Sequence, residues 1–326
     1  MSQYSRRGFL AHSAAAGVLA LQAETFLAPG TLSAAEKAPA AGAVQMTIAR
    51  WNGPAPKDAT DPAIPKIATQ LTQEAMEKLG GMARFVKKGD VVFVKPNIGW
   101  DRKPELAGNT NPEVVAAIVK MCFDAGAKAV KVGDNSVHVA TRTYETSGIA
   151  AAAKAQGAEI VFFDKARYKE FAIGGERIKT LLLYPDVIES DLVINVPIVK
   201  HHVLANATIC MKNYMGVMDN RAPFHQDFSA CLADLTRFMK PKLCVLDAVR
   251  VLKDHGPVGG NPADVVVKTT GAAGVDIVAL DALGLELLGK EPGEVKKARA
   301  IIKYAEQAGL GKVDYRSLAL KEIAVS

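Results

Sequence analysis

Residues 90–95 read Asp-Val-Val-Phe-Val-Lys, four consecutive apolar residues between two charged ones. A continuous apolar run of this length is typical of a strand that is buried on both of its faces. Parallel sheets provide that environment, because helices cover both of their faces. This short run therefore favours a parallel sheet enclosed between two layers of helices.

Strand-like and helix-like segments alternate on both sides of this run, from residue 44 to the C-terminus. The predicted strands are residues 44–51, 90–95, 128–132, 159–163, 192–196, 243–248, 265–269 and 318–325. The predicted helices are residues 64–79, 112–125, 144–156, 227–239, 275–288 and 295–308. The alternation predicts an α/β fold with a mainly parallel sheet and helices on both faces, in three layers.

The first thirty residues carry a different signal. Ser5-Arg6-Arg7-Gly8-Phe9-Leu10 places two adjacent arginines before an apolar stretch that reaches Leu21. This arrangement resembles a twin-arginine (Tat) signal, the type that exports folded proteins across a bacterial inner membrane. The stretch is shorter than the ~20 apolar residues of a spanning helix, which disfavours a membrane anchor. We therefore expect export by the Tat translocase and a periplasmic location.

This signal divides the chain into two parts. Residues 1–43 are expected to be a signal peptide and a linker rich in Ala, Pro, Gly and Ser. Residues 44–326 are expected to form a single α/β domain, with no stable transmembrane segment after cleavage.

Composition and charge limit the class of partner. The chain is 49% hydrophobic and 6% aromatic, and its net charge of +6 is spread without a basic run. Nucleic-acid binders more often cluster their basic residues, so a nucleic-acid partner is disfavoured. The glycine-rich segment 255–260 is not followed by Gly-Lys-Ser/Thr, and a GxGxxG fingerprint is missing. ATP and NAD therefore have no signature here, and a small anionic ligand fits the charge better.

The chain has four cysteines, and none of them forms a CxxC pair. Cys122 and Cys244 lie in apolar segments, which is typical of a buried cysteine without a chemical role. Cys210 and Cys231 flank the segment richest in polar motifs. Their spacing leaves open whether they join a disulfide, a metal site or neither.

Polar residues follow two of the buried strands where each strand ends. Lys95-Pro96-Asn97 follows the first, and Gly133-Asp134-Asn135-Ser136 follows the next. Ligands of parallel sheets bind at the carboxyl ends of strands. Lys95 could hold an anion, and Asp134 could take a metal, a hydroxyl group or a proton. The alternative is that both segments only close turns.

A third strand end carries Lys200, His201 and His202 together. Adjacent residues of a strand point to opposite sides, so one of the two histidines at most faces a given site. We favour His201, because it is nearer to Lys200.

The fourth segment runs from residue 210 to residue 227 and is the richest in polar side chains. Lys212 and Asn213 precede a glycine, and Arg221, His225 and Asp227 follow. These residues supply cations, an imidazole for proton transfer or metal binding, and a carboxylate. The alternative is that Asp227 caps the next helix and that Arg221 and His225 are solvated.

The polar motifs, taken in their order along the chain, resemble those of the domain of unknown function 362 family. They are Lys95-Pro96-Asn97, Asn111-Pro112, Gly133-Asp134, the segments 195–202 and 212–216, His225, Gly256-Pro257 and the segment 276–281. The family is named for having no assigned function, so the resemblance implies shared polar residues rather than a reaction. Many relatives carry a ferredoxin-like segment with clustered cysteines, from which this chain departs.

The leading hypothesis is a polar cleft that binds an anionic small molecule, with or without a metal ion, and that can support acid–base chemistry. Its ligand-binding residues would be Lys95, Asn97, Lys200, Lys212, Asn213 and Arg221, and its catalytic residues would be His201, His225, Asp134 and Asp227.

Two other hypotheses remain at this point. One is a non-catalytic carrier of a metal or, less favoured, an iron–sulfur cluster loaded before export, with Cys210, Cys231, His225 and Asp227 as ligands. The other, favoured least, is a structural protein whose polar strand ends only close turns. The sequence thus leaves open whether the protein is an enzyme.

Overall fold

A ten-stranded mixed sheet forms the centre of the fold in the computed structural model, which describes residues 43–326. The strands of this region are β1 (Met46–Trp51), β2 (Val91–Pro96), β3 (Ala129–Asp134), β4 (Glu159–Phe162), β5 (Lys169–Ala172), β6 (Thr180–Leu183), β7 (Leu192–Val196), β8 (Ile198–His202), β9 (Asn206–Thr208), β10 (Leu243–Leu252), β11 (Val265–Gly274) and β12 (Leu320–Val325). The helices are α1 (Ile64–Lys78), α2 (Pro112–Asp124), α3 (Ala140–Thr146), α4 (Ile149–Ala155), α5 (Pro185–Ile188), α6 (Cys210–Asn213), α7 (Phe228–Met239), α8 (Ile277–Leu288) and α9 (Lys296–Gln307).

Most neighbouring strands of the sheet are parallel. The main order is β12-β1-β11-β10-β7-β2-β3-β4, and β8 pairs with both β10 and β9. Antiparallel pairs occur where β11 meets β1 and β10, and where β8 meets β9. The α/β fold with a mainly parallel sheet is confirmed.

Side chains of β2 divide between two hydrophobic cores on opposite faces of the sheet. Val92 and Val94 pack in one core with residues of α1, α2 and α4. Phe93, between them, packs in the other core with residues of α7, α8 and α9. Successive side chains of a strand point to opposite faces, so the continuous apolar run serves both helical layers.

Capping side chains fix where several helices begin. Asn111 accepts the Glu113 N–H at 3.1 Å, and Pro112 occupies the first turn of α2. The carboxylate of Asp276 accepts a backbone N–H at the start of α8 in the same way. These bonds satisfy backbone donors that have no partner within the helix.

The predicted helix 144–156 is wrong in one respect. It is two short helices, α3 and α4, separated at Ser147 and Gly148. Gly148 has a φ of 72°, in the left-handed region that interrupts a helix. The strands β10 and β11 also extend beyond their predicted ends, because they pair with each other along most of their length. The antiparallel pairs β5–β6 and β8–β9 were not predicted from the sequence.

The proposed export signal and linker lie outside the described residues, apart from residue 43 at the linker's end. Each helix of residues 43–326 is too short or too polar to span a lipid bilayer.

Candidate functional site

A cleft of about 360 Å³ opens at the carboxyl ends of β2, β3 and β8. This is the edge at which parallel sheets bind ligands. The polar side chains that line it are Asn97, Asp134, Asn135, Lys200, His202, Thr208, Lys212, Asn213, Arg221 and His225. The sequence motifs from four separate segments therefore meet in one place.

Lys95 lies beneath the cleft rather than in its wall. Its side chain is fully buried, and Nζ lies 2.6 Å from Asp134 Oδ1 in an ion pair. Nζ also donates to the Pro96 carbonyl at 2.8 Å and to Asn213 Oδ1 at 3.2 Å. Burial lowers the pKa of Lys95, while the Asp134 carboxylate opposes this shift. With two hydrogen bonds and one ion pair at its Nζ, Lys95 holds the floor of the cleft together.

Gly216 covers this ion pair. A Cβ atom at Gly216 would lie 1.8 Å from Asp134 Oδ1 and 2.6 Å from Lys95 Nζ. Real Cβ atoms do not approach other heavy atoms so closely, so any side chain at this position would displace Asp134 or Lys95. The close approach explains the glycine that follows Lys212-Asn213 in the sequence.

A chain of amides connects the floor to a second buried lysine. Asn213 Oδ1 accepts from Asn97 Nδ2 at 3.1 Å, and Asn97 Oδ1 accepts from Lys200 Nζ at 2.8 Å. Lys200 Nζ also donates to the Gly108 carbonyl at 2.6 Å. Burial lowers the pKa of Lys200 well below its usual value, and the positive charges of nearby lysines add to this effect.

Lys212 differs from the other two lysines. Within residues 43–326, its ammonium group makes no hydrogen bond or ion pair, and its Nζ lies 5.5 Å from the centroid of the Phe228 ring. Burial, assisted by the charge of Arg221, lowers the pKa of Lys212 to about 7. An amine of this kind can exist in either protonation state near neutral pH.

Asp281, which was not singled out as a site residue, anchors the short helix α6 that carries Lys212. Its carboxylate accepts the N–H of Cys210 at 2.5 Å and that of Met211 at 3.2 Å. Burial raises the pKa of Asp281 to about 7. The sequence signal that could have identified Asp281 was the family-like motif at residues 276–281. The spacing of this motif does not reveal that Asp281 contacts α6.

Of the two adjacent histidines, His202 lines the cleft and His201 does not. His202 Nδ1 accepts the N–H groups of Leu204 and Ala205 at 3.1 and 3.3 Å, which places the ring proton on Nε2. Burial lowers the pKa of His202 to about 2, and nearby cations contribute. His201 instead accepts the Gly256 N–H at 3.1 Å. The structure thus places His202 at the cleft, and not His201, which the sequence favoured.

Arg221 and His225 lie at the edge of the cleft. Arg221 donates from Nε to the Met215 carbonyl at 3.0 Å and from Nη2 to the Asn135 carbonyl. His225 is exposed, and its pKa is lowered by partial burial and by the charges of Lys212 and Arg221. Both side chains belong to the lining of the cleft.

Asp227 does not line the cleft. Its carboxylate accepts the Ala230 N–H at 3.1 Å and caps the N-terminus of α7. This position agrees with the alternative interpretation of the sequence, in which Asp227 caps the helix that follows it.

The four residues of the carrier hypothesis are not gathered into one metal site. Cys210 and Cys231 are buried free thiols. Across residues 43–326, no three His, Cys, Asp or Glu side chains are grouped so that they could hold a metal ion. The set Cys210, Cys231, His225 and Asp227 therefore has no common centre in this arrangement.

Basic side chains outnumber carboxylates in the wall of the cleft. Lys200, Lys212 and Arg221 line it, whereas Asp134 is its one lining carboxylate within residues 43–326. That carboxylate is already paired with Lys95.

The family described as Domain of unknown function (DUF362) matches residues 92–286. The chain belongs to this family. The matched region contains the strand ends, the amide chain and Lys212, so the DUF362 family resemblance of these motifs is confirmed.

Two further likenesses accompany the DUF362 match. A thylakoid-associated protein of Synechocystis sp. is 31% identical over 230 residues, which are 68% of this chain and 70% of that protein. The solved lactate racemase apoprotein from Thermoanaerobacterium thermosaccharolyticum is 13% identical, with a TM-score of 0.44. That comparison covers 75% of this chain, which spans 57% of the racemase chain.

Proposed function

We propose that this DUF362 protein is exported by the Tat pathway and binds a small anionic molecule in its cleft, on which Lys212 performs acid–base chemistry. The supporting observation is the excess of cations over carboxylates among the side chains that line the cleft. In a partly buried site, such an excess attracts an anion more strongly than it would in water.

The size of the cleft supports a small ligand. Ligand pockets occupy roughly 300–1,000 Å³, and the 360 Å³ found here is near the lower limit. Carboxylates and phosphate groups of small metabolites fit both the size and the charge. Trp100 lines one wall, where it can cover an apolar part of the ligand.

The acid–base step is assigned to Lys212, and His202 is assigned the binding of a ligand oxygen. A group with a pKa close to the working pH can both accept and give a proton, and Lys212 has such a pKa. His202 remains neutral and directs an Nε2–H donor, which can hold a ligand oxygen. His225 stands at the edge, while His201 and Asp227 have no part in this proposal.

Titration calorimetry of the purified mature protein with small carboxylates and inorganic phosphate tests the binding proposal. Lys212→Gln and Arg221→Gln should each weaken binding about tenfold or more, because each removes one charged contact. Lys66→Gln is the matched control, since Lys66 is exposed on α1. Absence of anion binding, or an equal loss in the control, would overturn the proposal.

Export is tested separately in the full chain. Replacing both Arg6 and Arg7 with lysine should leave the protein in the cytoplasm of a Tat-competent host, because the signal depends on the arginine pair. Fractionation and immunoblotting measure this. Undiminished periplasmic protein in the double variant would refute export by this pathway.

A further inference from the structure

We propose that Lys212 is a carbonyl-binding amine, which forms an imine with a small anionic aldehyde or ketone such as a 2-oxo acid. The inference rests on the proposed function, because it names the class of anion that the cleft accepts. It assigns to Lys212 a covalent role in addition to proton transfer.

The contrast among the three lysines carries this inference. The Lys95 amine is directed at Asp134 and two further protein oxygens, and the Lys200 amine at Asn97 and the Gly108 carbonyl. Within residues 43–326, the Lys212 amine has no hydrogen-bond acceptor and no carboxylate partner. An amine without such partners can turn its lone pair toward a ligand in the cleft.

The surroundings of Lys212 also favour the reactive form of the amine. Only the neutral amine is a nucleophile, and a buried lysine beside another cation is activated in this way. At pH 7, about half of an amine with a pKa of about 7 is neutral, against ~0.04% of an exposed lysine. The positive charge of Arg221 contributes to this shift.

The same cleft offers separate partners for the two ends of a 2-oxo acid. Across residues 43–326, Arg221 uses Nε and Nη2 on backbone carbonyls, so Nη1 remains for a ligand carboxylate. His202 can donate from Nε2–H to the carbonyl oxygen, because its Nδ1 is occupied by backbone N–H groups. Lys212 lines the cleft with both residues.

The step balances without an external oxidant or reductant. The neutral Lys212 Nζ attacks the carbonyl carbon, a C–N bond forms, and one amine hydrogen moves to the carbonyl oxygen. The resulting hydroxyl group then leaves as water with the second amine hydrogen, and a C=N bond forms. The imine draws electrons from the carbon atom next to the former carbonyl carbon, which makes the bonds of that atom to hydrogen easier to break.

Trapping with glyoxylate and sodium cyanoborohydride tests this inference. The mature protein is treated at pH 7, and peptides are analysed by mass spectrometry. We expect one carboxymethyl group on Lys212, formed at least about tenfold faster than on the exposed Lys66. Acetaldehyde at the same concentration should label Lys212 at least about tenfold more slowly, because it lacks the anionic group.

Controls separate this inference from the proposed function. Lys212→Arg keeps a cation but removes the nucleophile, so the adduct on this peptide should disappear while circular dichroism shows a folded protein. Calorimetry with glyoxylate and no reductant measures anion binding by itself. Binding without an adduct on Lys212, or equal labelling of Lys66, would overturn imine formation alone. Absence of binding by glyoxylate and by every other anion tested would overturn the anion site as well.

Discussion

Replacing Gly216 with alanine is expected to break the buried ion pair beneath the cleft. The new Cβ would lie 1.8 Å from Asp134 Oδ1 and 2.6 Å from Lys95 Nζ. Neither atom can retreat easily, because Asp134 Oδ2 accepts the Ile98 N–H at 2.7 Å and Lys95 Nζ is held by three oxygens. Gly216 lies in a 3₁₀ turn with φ outside the left-handed region, so the effect arises from contact rather than from backbone strain.

The magnitude follows from separating two buried charges. Disruption of a buried ion pair costs about 3–5 kcal/mol, because the charges lose each other without gaining water. Alanine in place of glycine recovers about 0.4–1 kcal/mol by restricting the unfolded chain. The variant should therefore lose about 2–4.6 kcal/mol of the free energy of unfolding.

Urea unfolding, followed by circular dichroism and fitted with a common slope, measures this loss. Gly293→Ala is the matched control, since a Cβ there meets nothing within 4 Å and φ again lies outside the left-handed region. The control should stay within about 1 kcal/mol of the parent protein. A loss below about 1 kcal/mol for Gly216→Ala, no larger than in the control, would refute the reasoning.

Three further variants address other parts of the site. Between the folded-state pKa of Lys212, about 7, and its unfolded value near ~10.4, the unfolded chain binds the proton more tightly. The free energy of unfolding of the parent protein, relative to that of Lys212→Met, should therefore rise with pH in this window by at most about 1.4 kcal/mol per pH unit. Urea unfolding of both proteins from pH 7 to 10 measures this difference, and a difference that does not change with pH would contradict the prediction. Asp227→Ala should cost about 1 kcal/mol by removing the cap of α7, and calorimetry should find anion binding unchanged; weakened binding would return Asp227 to the site. Tyr144→Phe should cost about 1–3 kcal/mol, because the buried Asp134 N–H loses the Tyr144 hydroxyl 2.7 Å away, and an unchanged thermal unfolding midpoint would argue against it.

Local patterns predicted the elements of the fold well. The run at residues 90–95 indicated a strand buried on both faces, and β2 indeed divides its side chains between two cores. Burial on two faces leaves a mark in consecutive residues, so it can be recognised from the sequence. The break between α3 and α4 was missed because one glycine is tolerated in many helices, and only its φ reveals the interruption.

Contacts between distant segments were beyond the sequence. Lys95 and Asp134 were placed in separate roles, yet they meet because β2 and β3 are parallel neighbours with Val94 beside Val132. Strand order decides this pairing, and strand order is not written in any one segment. In the same way, alternation predicts that His201 and His202 face opposite sides, but the pairing of β8 with its neighbours decides which one reaches the cleft.

The contrast between the rim and the floor of the cleft has a consequence for protein engineering. Val137, Val203 and Leu204 line the cleft and are exposed, whereas Asp134 in its wall and Lys95 beneath it are buried. Exchanges at exposed positions usually change stability by about 0.5 kcal/mol or less, while loss of a buried charge costs several. A combinatorial library confined to Val137, Val203 and Leu204 can thus be screened for binding of new ligands with little loss of stability. Ligand specificity and stability therefore depend on different residues, and directed evolution can change the specificity while keeping the stability.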